Sequence, residues 1–156
     1  MKKTEKNLYY TARENACLSR EAAAEKIGIS ATTLGRIERG ETQPKPDDIV
    51  IMVDLYGEPL LYNYFCTRDC KIGMDCRISE VKPVTLAEAT LGIIASVNSF
   101  SKWKDKFIEI AVDGDVDSTE MSDFKDICKS LGDISDMVER LKLCVENIKM
   151  SKTVNN

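Results

Sequence analysis

The chain has 156 residues, 43% of them hydrophobic, a formal net charge of -4 and no histidine. That length holds one ordinary domain or two small ones, and that apolar fraction is enough for a core. The lack of histidine removes most hydrolytic triads and the commonest metal and acid–base side chain, and net acidity works against non-specific attraction to nucleic acid.

The start, Met1-Lys2-Lys3-Thr4-Glu5-Lys6, does not lead into an apolar signal core, so the expected location is the cytoplasm. Apolar runs of only a few residues exclude a membrane span and any membrane partner. The six cysteines are then expected to be thiols or metal ligands rather than disulfides.

A first helix is predicted over residues 7–17, with Leu8, Ala12 and Ala16 at helical spacing. Ser19 caps a second helix over 20–26, which stops at Gly28, a residue able to take positive φ. Ser30 caps a third over 31–39, closed by Gly40. Ala23, Ala24, Ile27, Ile29, Leu34 and Ile37 converge on one side of this helical corner. Ala31, Thr32, Gly35, Arg36 and Arg39 are left on the other. A small, polar, partly cationic helix face of that kind fits a DNA major groove.

Pro44 and Pro46 break the chain, and Asp47 or Asp48 starts a fourth helix ended by Gly57. A fifth runs from Pro59 to about Cys66. Residues 67–84 read as an irregular linker. Two long helices follow, over 85–112 and 119–150, each about 40–48 Å long at helical rise. The first carries Leu86, Ile93, Val97, Phe100, Phe107 and Ala111 on one stripe. The second carries a heptad seam of Phe124, Ile127, Leu131, Ile134, Val138, Leu141, Val145 and Ile148. The short acidic turn between them predicts an antiparallel hairpin.

The run Leu8-x-x-x-Ala12-Arg13-Glu14, Leu18-Ser19-Arg20-Glu21, Ala24-Glu25-Lys26-Ile27-Gly28-Ile29-Ser30, Thr33-Leu34, Ile37-Glu38-Arg39-Gly40 and Pro44-x-Pro46 resembles the Cro/XRE family of phage-repressor-like helix-turn-helix regulators. The match covers roughly residues 7–65. The C-terminal hairpin pattern, with Cys70-x-Ile72-Gly73 and Ala111-x-Asp113-Gly114, is similar to one branch of the same regulators. The resemblance implies an all-α protein. Residues 1–66 form a five-helix, lambda-repressor-like DNA-binding domain, 67–84 a cysteine-containing linker, and 85–156 a hairpin for dimerisation or partner binding. It also implies a dimeric repressor of transcription on double-stranded DNA, with no cofactor. In the family the third helix meets base edges, which transfers to Ala31, Thr32, Thr33, Gly35 and Arg36. Arg36 is the candidate for guanine, because a guanidinium can bridge O6 and N7. Arg20, Arg39 and Lys45 are candidate phosphate contacts. Arg13 and Glu38 match a buried ion pair between the first and third helices and are assigned to architecture. The chain departs from the family pattern at Arg20, where glutamine is frequent, and at Gly35, where a polar residue is. Gly35 either lets the backbone approach DNA or avoids a clash within the corner.

Two rival functions remain open. One is a protein–protein adaptor or antitoxin-like protein on the same fold, favoured by net acidity and by the sparse face at Ala31 and Gly35. The other is a thiol- or metal-responsive regulator using Cys66, Cys70 and Cys76, three thiols within eleven residues but without a local fourth ligand. Cys17, Cys128 and Cys144 are expected to pack between helices. Asp113, Asp115 and Asp117 begin like a calcium loop, which then fails at Ser118 and Phe124. Those carboxylates are expected to stabilise the N-terminus of the last helix. No phosphate-cradling loop, nucleophile elbow or catalytic carboxylate pair is visible, so no enzyme is expected.

Overall fold

A computed structural model of the protein describes residues 7–154. Met1–Lys6, read above as a start without a signal core, lie outside the described residues, as does the side chain of Asp113. The described residues form an all-α fold of nine helices without strands. These are α1 (Leu8–Asn15), α2 (Arg20–Ile27), α3 (Ala31–Glu38), α4 (Pro46–Tyr56), α5 (Leu60–Arg68), α6 (Lys71–Asp75), α7 (Leu86–Phe100), α8 (Lys104–Asp113) and α9 (Met121–Val154). No described helix is long and apolar enough to cross a membrane. The chain divides into two compact units, residues 1–80 with 146–156, and residues 81–145.

Local chemistry sets the helix ends of the first unit. Asn7, Ser19 and Ser30 each accept a backbone N–H in the first turn of α1, α2 and α3. Gly28 closes α2 at φ +85°, the left-handed conformation that only glycine adopts without strain. Pro46 occupies the first position of α4, where no N–H is needed, and the Asp48 carboxylate accepts the Lys45 N–H at 3.2 Å. The core collects Tyr9 and Ala12 from α1, Ala24 and Ile27 from α2, Leu34 and Ile37 from α3, Met52 and Val53 from α4, and Leu61 and Phe65 from α5. Met150, near the end of α9, packs against the same core.

The stretch read as an irregular linker contains α6. It lies so close to α5 that a Cβ on Gly73 would sit 2.1 Å from the Cys66 carbonyl oxygen. A five-residue helix is too short to show as a period, so α6 is a product of tertiary packing.

In the second unit α7 and α9 run antiparallel. The Cys144 thiol donates to the Val84 carbonyl at 2.9 Å, and eight residues further along the chain, on α7, Gly92 faces Met137. A Cβ on Gly92 would approach the Met137 sulfur to 2.5 Å, so the missing side chain lets the helices close together. Thr85 and Glu88 form a capping box at the start of α7.

Three sequence expectations are corrected here. The single helix predicted over 85–112 is two helices, α7 and α8. Residues 101–103 tighten into bonds from Lys102 to Ser99 and from Trp103 to Phe100, and the Ser101 hydroxyl bonds back to Val97. A serine-rich stretch that competes for backbone groups is a poor place to continue a helix. Second, the buried line of α9 is Ile127, Ser130 and Cys144, with Ile134, Met137 and Leu141 half-buried, while Leu131 and Val145 of the predicted seam are exposed. Third, Leu86, Val97 and Ala111 of the predicted stripe lie outside on α7 and α8, and the neighbouring Ile110 is buried. Asp117 behaves as expected: its carboxylate accepts the Thr119 and Glu120 N–H groups, which holds it below the usual carboxylate range together with the Thr119 hydroxyl.

Candidate nucleic-acid interface

The geometry of the candidate face follows from the amphipathic pattern of α3. Leu34 and Ile37 are sunk in the core, which turns Thr32, Arg36 and Arg39 outward and leaves Ala31 and Thr33 half-buried. The α2–α3 corner is fixed by the left-handed Gly28 and by the Ile29 N–H, which returns to the Ala24 carbonyl at 3.0 Å. Thr33 is tied to the cap: its N–H donates to the Ser30 hydroxyl oxygen at 3.0 Å and the two hydroxyl groups lie 2.8 Å apart. Ala31, Thr32, Gly35, Arg20 and Arg39 come together with Glu21 around an open cleft of about 290 Å3. Arg36 stands beside that group, and Lys45 lies exposed at the entrance to α4.

Beneath this face runs a buried ion network. Arg13 donates from Nε and Nη2 to the two Glu38 oxygens at 2.5 and 3.4 Å, and from Nη1 to the Leu18 carbonyl at 2.6 Å. Burial pulls the Arg13 pKa down, but the hydrogen bonds it donates to Glu38 and Glu14 outweigh it and hold the group charged. Arg20 Nε donates to Glu38 Oε2 at 3.0 Å, so this side chain is anchored to the scaffold while its rim remains at the surface. Glu38 thus joins α1, α2 and α3.

Gly35 is buried, and a Cβ there would meet Arg39 Nη1 at 3.3 Å and Arg20 Nε at 3.4 Å. The absent side chain makes a floor over which two guanidinium groups lie side by side. Of the two roles open for Gly35, making room within the corner is the one with contacts behind it.

The sequence reading did not single out Glu41 or Glu21. Gly40, at φ +70°, turns the chain back at the end of α3, and the Glu41 N–H bonds to the Arg36 carbonyl at 2.9 Å. Glu41 then takes the Arg39 fork, with Nε at 2.6 Å and Nη2 at 3.1 Å from its two oxygens. The hydrogen bonds from Arg39 hold the Glu41 carboxyl below its ordinary range. An acidic residue directly after a helix-closing glycine, two places from an arginine, was the available signal. Arg20 is paired with the buried Glu38, Arg36 and Arg39 share Glu41, and Glu21 lines the same cleft.

Cys66 and Cys70 are half-buried and Cys76 is exposed. Burial, and secondarily the neighbouring Cys70, push the Cys66 thiol up, away from the thiolate that binds metals. Among the described residues no three Cys, Asp or Glu side chains form a group that could hold a metal ion.

Residues 11–60 match the family model of a helix-turn-helix domain. The matched stretch contains α2, the Gly28 corner, α3 and α4 complete. Comparison with curated proteins and with solved structures gave no match.

Proposed function

We propose that the protein is a sequence-specific DNA-binding regulator of Cro/XRE type, cytoplasmic and without catalytic activity, which represses by occupying an operator as a dimer. The observation that carries this reading is the exposed α3 face, held out by an apolar corner within the stretch that matches a helix-turn-helix domain. Residues 1–66 are the DNA-binding domain and 85–156 the association region. Ala31, Thr32 and Arg36 meet base edges, and Arg36 reads guanine. Arg20, Arg39 and Lys45 meet phosphates, with Thr33 and Gly35 shaping the helix that carries the contacts. Leu86, Leu91, Ile94 and Val97 support the dimer: they lie 45–67% exposed along α7, an apolar face that association would cover. Two copies would place two recognition helices on half-sites about 34 Å apart.

A second reading, a protein–protein adaptor on the same fold, is supported by the balanced charge of the α3 face. Selection of bound duplexes from a random pool decides between them. The regulator enriches one inverted repeat. No enrichment at low or moderate salt overturns the regulator and leaves the adaptor.

A further inference from the structure

The Arg39 fork is occupied on one side and pressed against α3 on the other. Glu41 receives Nε and Nη2 at 2.6 and 3.1 Å, and the same carboxylate stands 3.9 Å from Arg36 Nε. The contact has a built frame: Gly40 takes a left-handed turn, and the Gly40 and Glu41 N–H groups bond back to Ile37 and Arg36 at 2.9 Å each. The acid that clamps Arg39 is therefore fixed through its backbone to the last turn of the recognition helix. It remains half-exposed, like both arginines. Glu38, by contrast, is fully buried between Arg13 and Arg20 and cannot swing away.

A guanidinium fork binds a carboxylate and a phosphodiester in the same bidentate geometry. We infer that Glu41 is an internal competitor for DNA phosphate, occupying Arg39 and partly neutralising Arg36 in the free protein and yielding when the α3 face meets a duplex. An exposed pair of this kind is weak enough to exchange. Its effect is to lower affinity for every sequence alike, since phosphates carry no sequence information. The ratio between affinities for different sequences is left as it is, while occupancy of DNA in general falls, on a face where Arg20 is already held by Glu38. This inference rests on the DNA-binding reading, and Glu41 deepens it as a residue that sets affinity for the phosphate backbone.

The test is fluorescence anisotropy of the full chain with a labelled duplex of about 20 base pairs and mixed sequence, across a salt series. Glu41→Gln is expected to bind about two- to fivefold tighter at about 0.1 M salt. The slope of log affinity against log salt is expected to change by well under about 0.9, because Arg39 engages the same phosphate in both proteins once Glu41 has yielded. Asp54→Asn on α4 removes the same charge elsewhere and is expected to leave both quantities unchanged. In an Arg39→Ala background the gain from Glu41→Gln is expected to vanish. An unchanged affinity for Glu41→Gln while the wild type binds overturns the inference alone. So does a gain matched by Asp54→Asn, or one that survives Arg39→Ala. No binding by the wild type or any variant at the lowest salt overturns the DNA-binding reading and this inference with it.

Discussion

The first unit and residues 81–145 solve burial in different ways. Among the described residues, thirteen of the eighteen buried apolar side chains belong to the core around α1–α5, so that part has its stability inside it. Its buried charges, Arg13 and Glu38, are paired with each other and with backbone. Residues 81–145 bury few large side chains, leave Leu91 and Ile108 more than half exposed, and enclose the Ser130 hydroxyl and Arg140 Nε without hydrogen-bond partners. The contrast separates a unit that holds its own core from one whose apolar residues lie largely outside, the face that the proposed association would cover. The Tyr56 hydroxyl of the first unit is likewise buried without a partner, so it is the exposed apolar residues of 81–145, not its unmatched polar atoms, that set the two apart.

The sharpest way to break that comparison is at Glu38. Glu38→Ala strands the Arg13 charge in the core and is expected to cost about 3–5 kcal/mol in denaturant unfolding. A loss under about 1 kcal/mol would mean the network is not a structural element. Gly73→Ala comes next. Its new Cβ would press on the Cys66 backbone, which cannot move aside like a flexible side chain, so a loss of about 1–3 kcal/mol is expected.

Smaller effects sharpen the other half. Ser130→Ala removes a buried hydroxyl that has no partner and is expected to stabilise by up to about 1 kcal/mol, an unusual sign for a core substitution. A clear loss would show that Ser130 is satisfied in solution. On the outer face of α7, the double substitution Leu91→Ser with Ile94→Ser is expected to change monomer stability by under about 0.5 kcal/mol, because both side chains are exposed. Sedimentation is expected to show the wild type as a dimer at tens of micromolar and this variant as a monomer. Equal association of the two would remove α7 from the interface.

Much of the first unit was legible because its signals are local. Ser19, Ser30, Gly28 and Gly57 mark helix ends by chemistry that acts within one turn, and the structure uses each in that way. The long helices were legible as helices but not in their facing. Leu131 and Val145 look like good seam residues, yet the helix pair closes on the side of Ser130, Met137 and Cys144, where Gly92 permits close approach. Hydrophobicity ranks those three residues below leucine and valine, so a pattern read by apolar content takes in the exposed Leu131 and Val145 along with Ile127, Ile134 and Leu141, which do face inward. The break at residues 101–103 was hidden because Phe100 and Phe107 keep a seven-residue spacing across it, and they meet edge to face at 6.3 Å. On the α3 face, the sequence marks which cations are present. It does not show that Arg20 is held by Glu38 and Arg39 by Glu41, because those pairings depend on the chain reversal at Gly40 and on the missing side chain of Gly35.

The central claim is that α3 reads bases. Its most direct test measures wild type and Arg36→Ala by anisotropy, at fixed salt, on a selected duplex and on a set of single-base variants of it. The account predicts that Arg36→Ala loses about 1–3 kcal/mol on the selected duplex and no longer distinguishes one particular base pair, while discrimination elsewhere is retained. A loss of the same size on every duplex, with all base preferences intact, would contradict it.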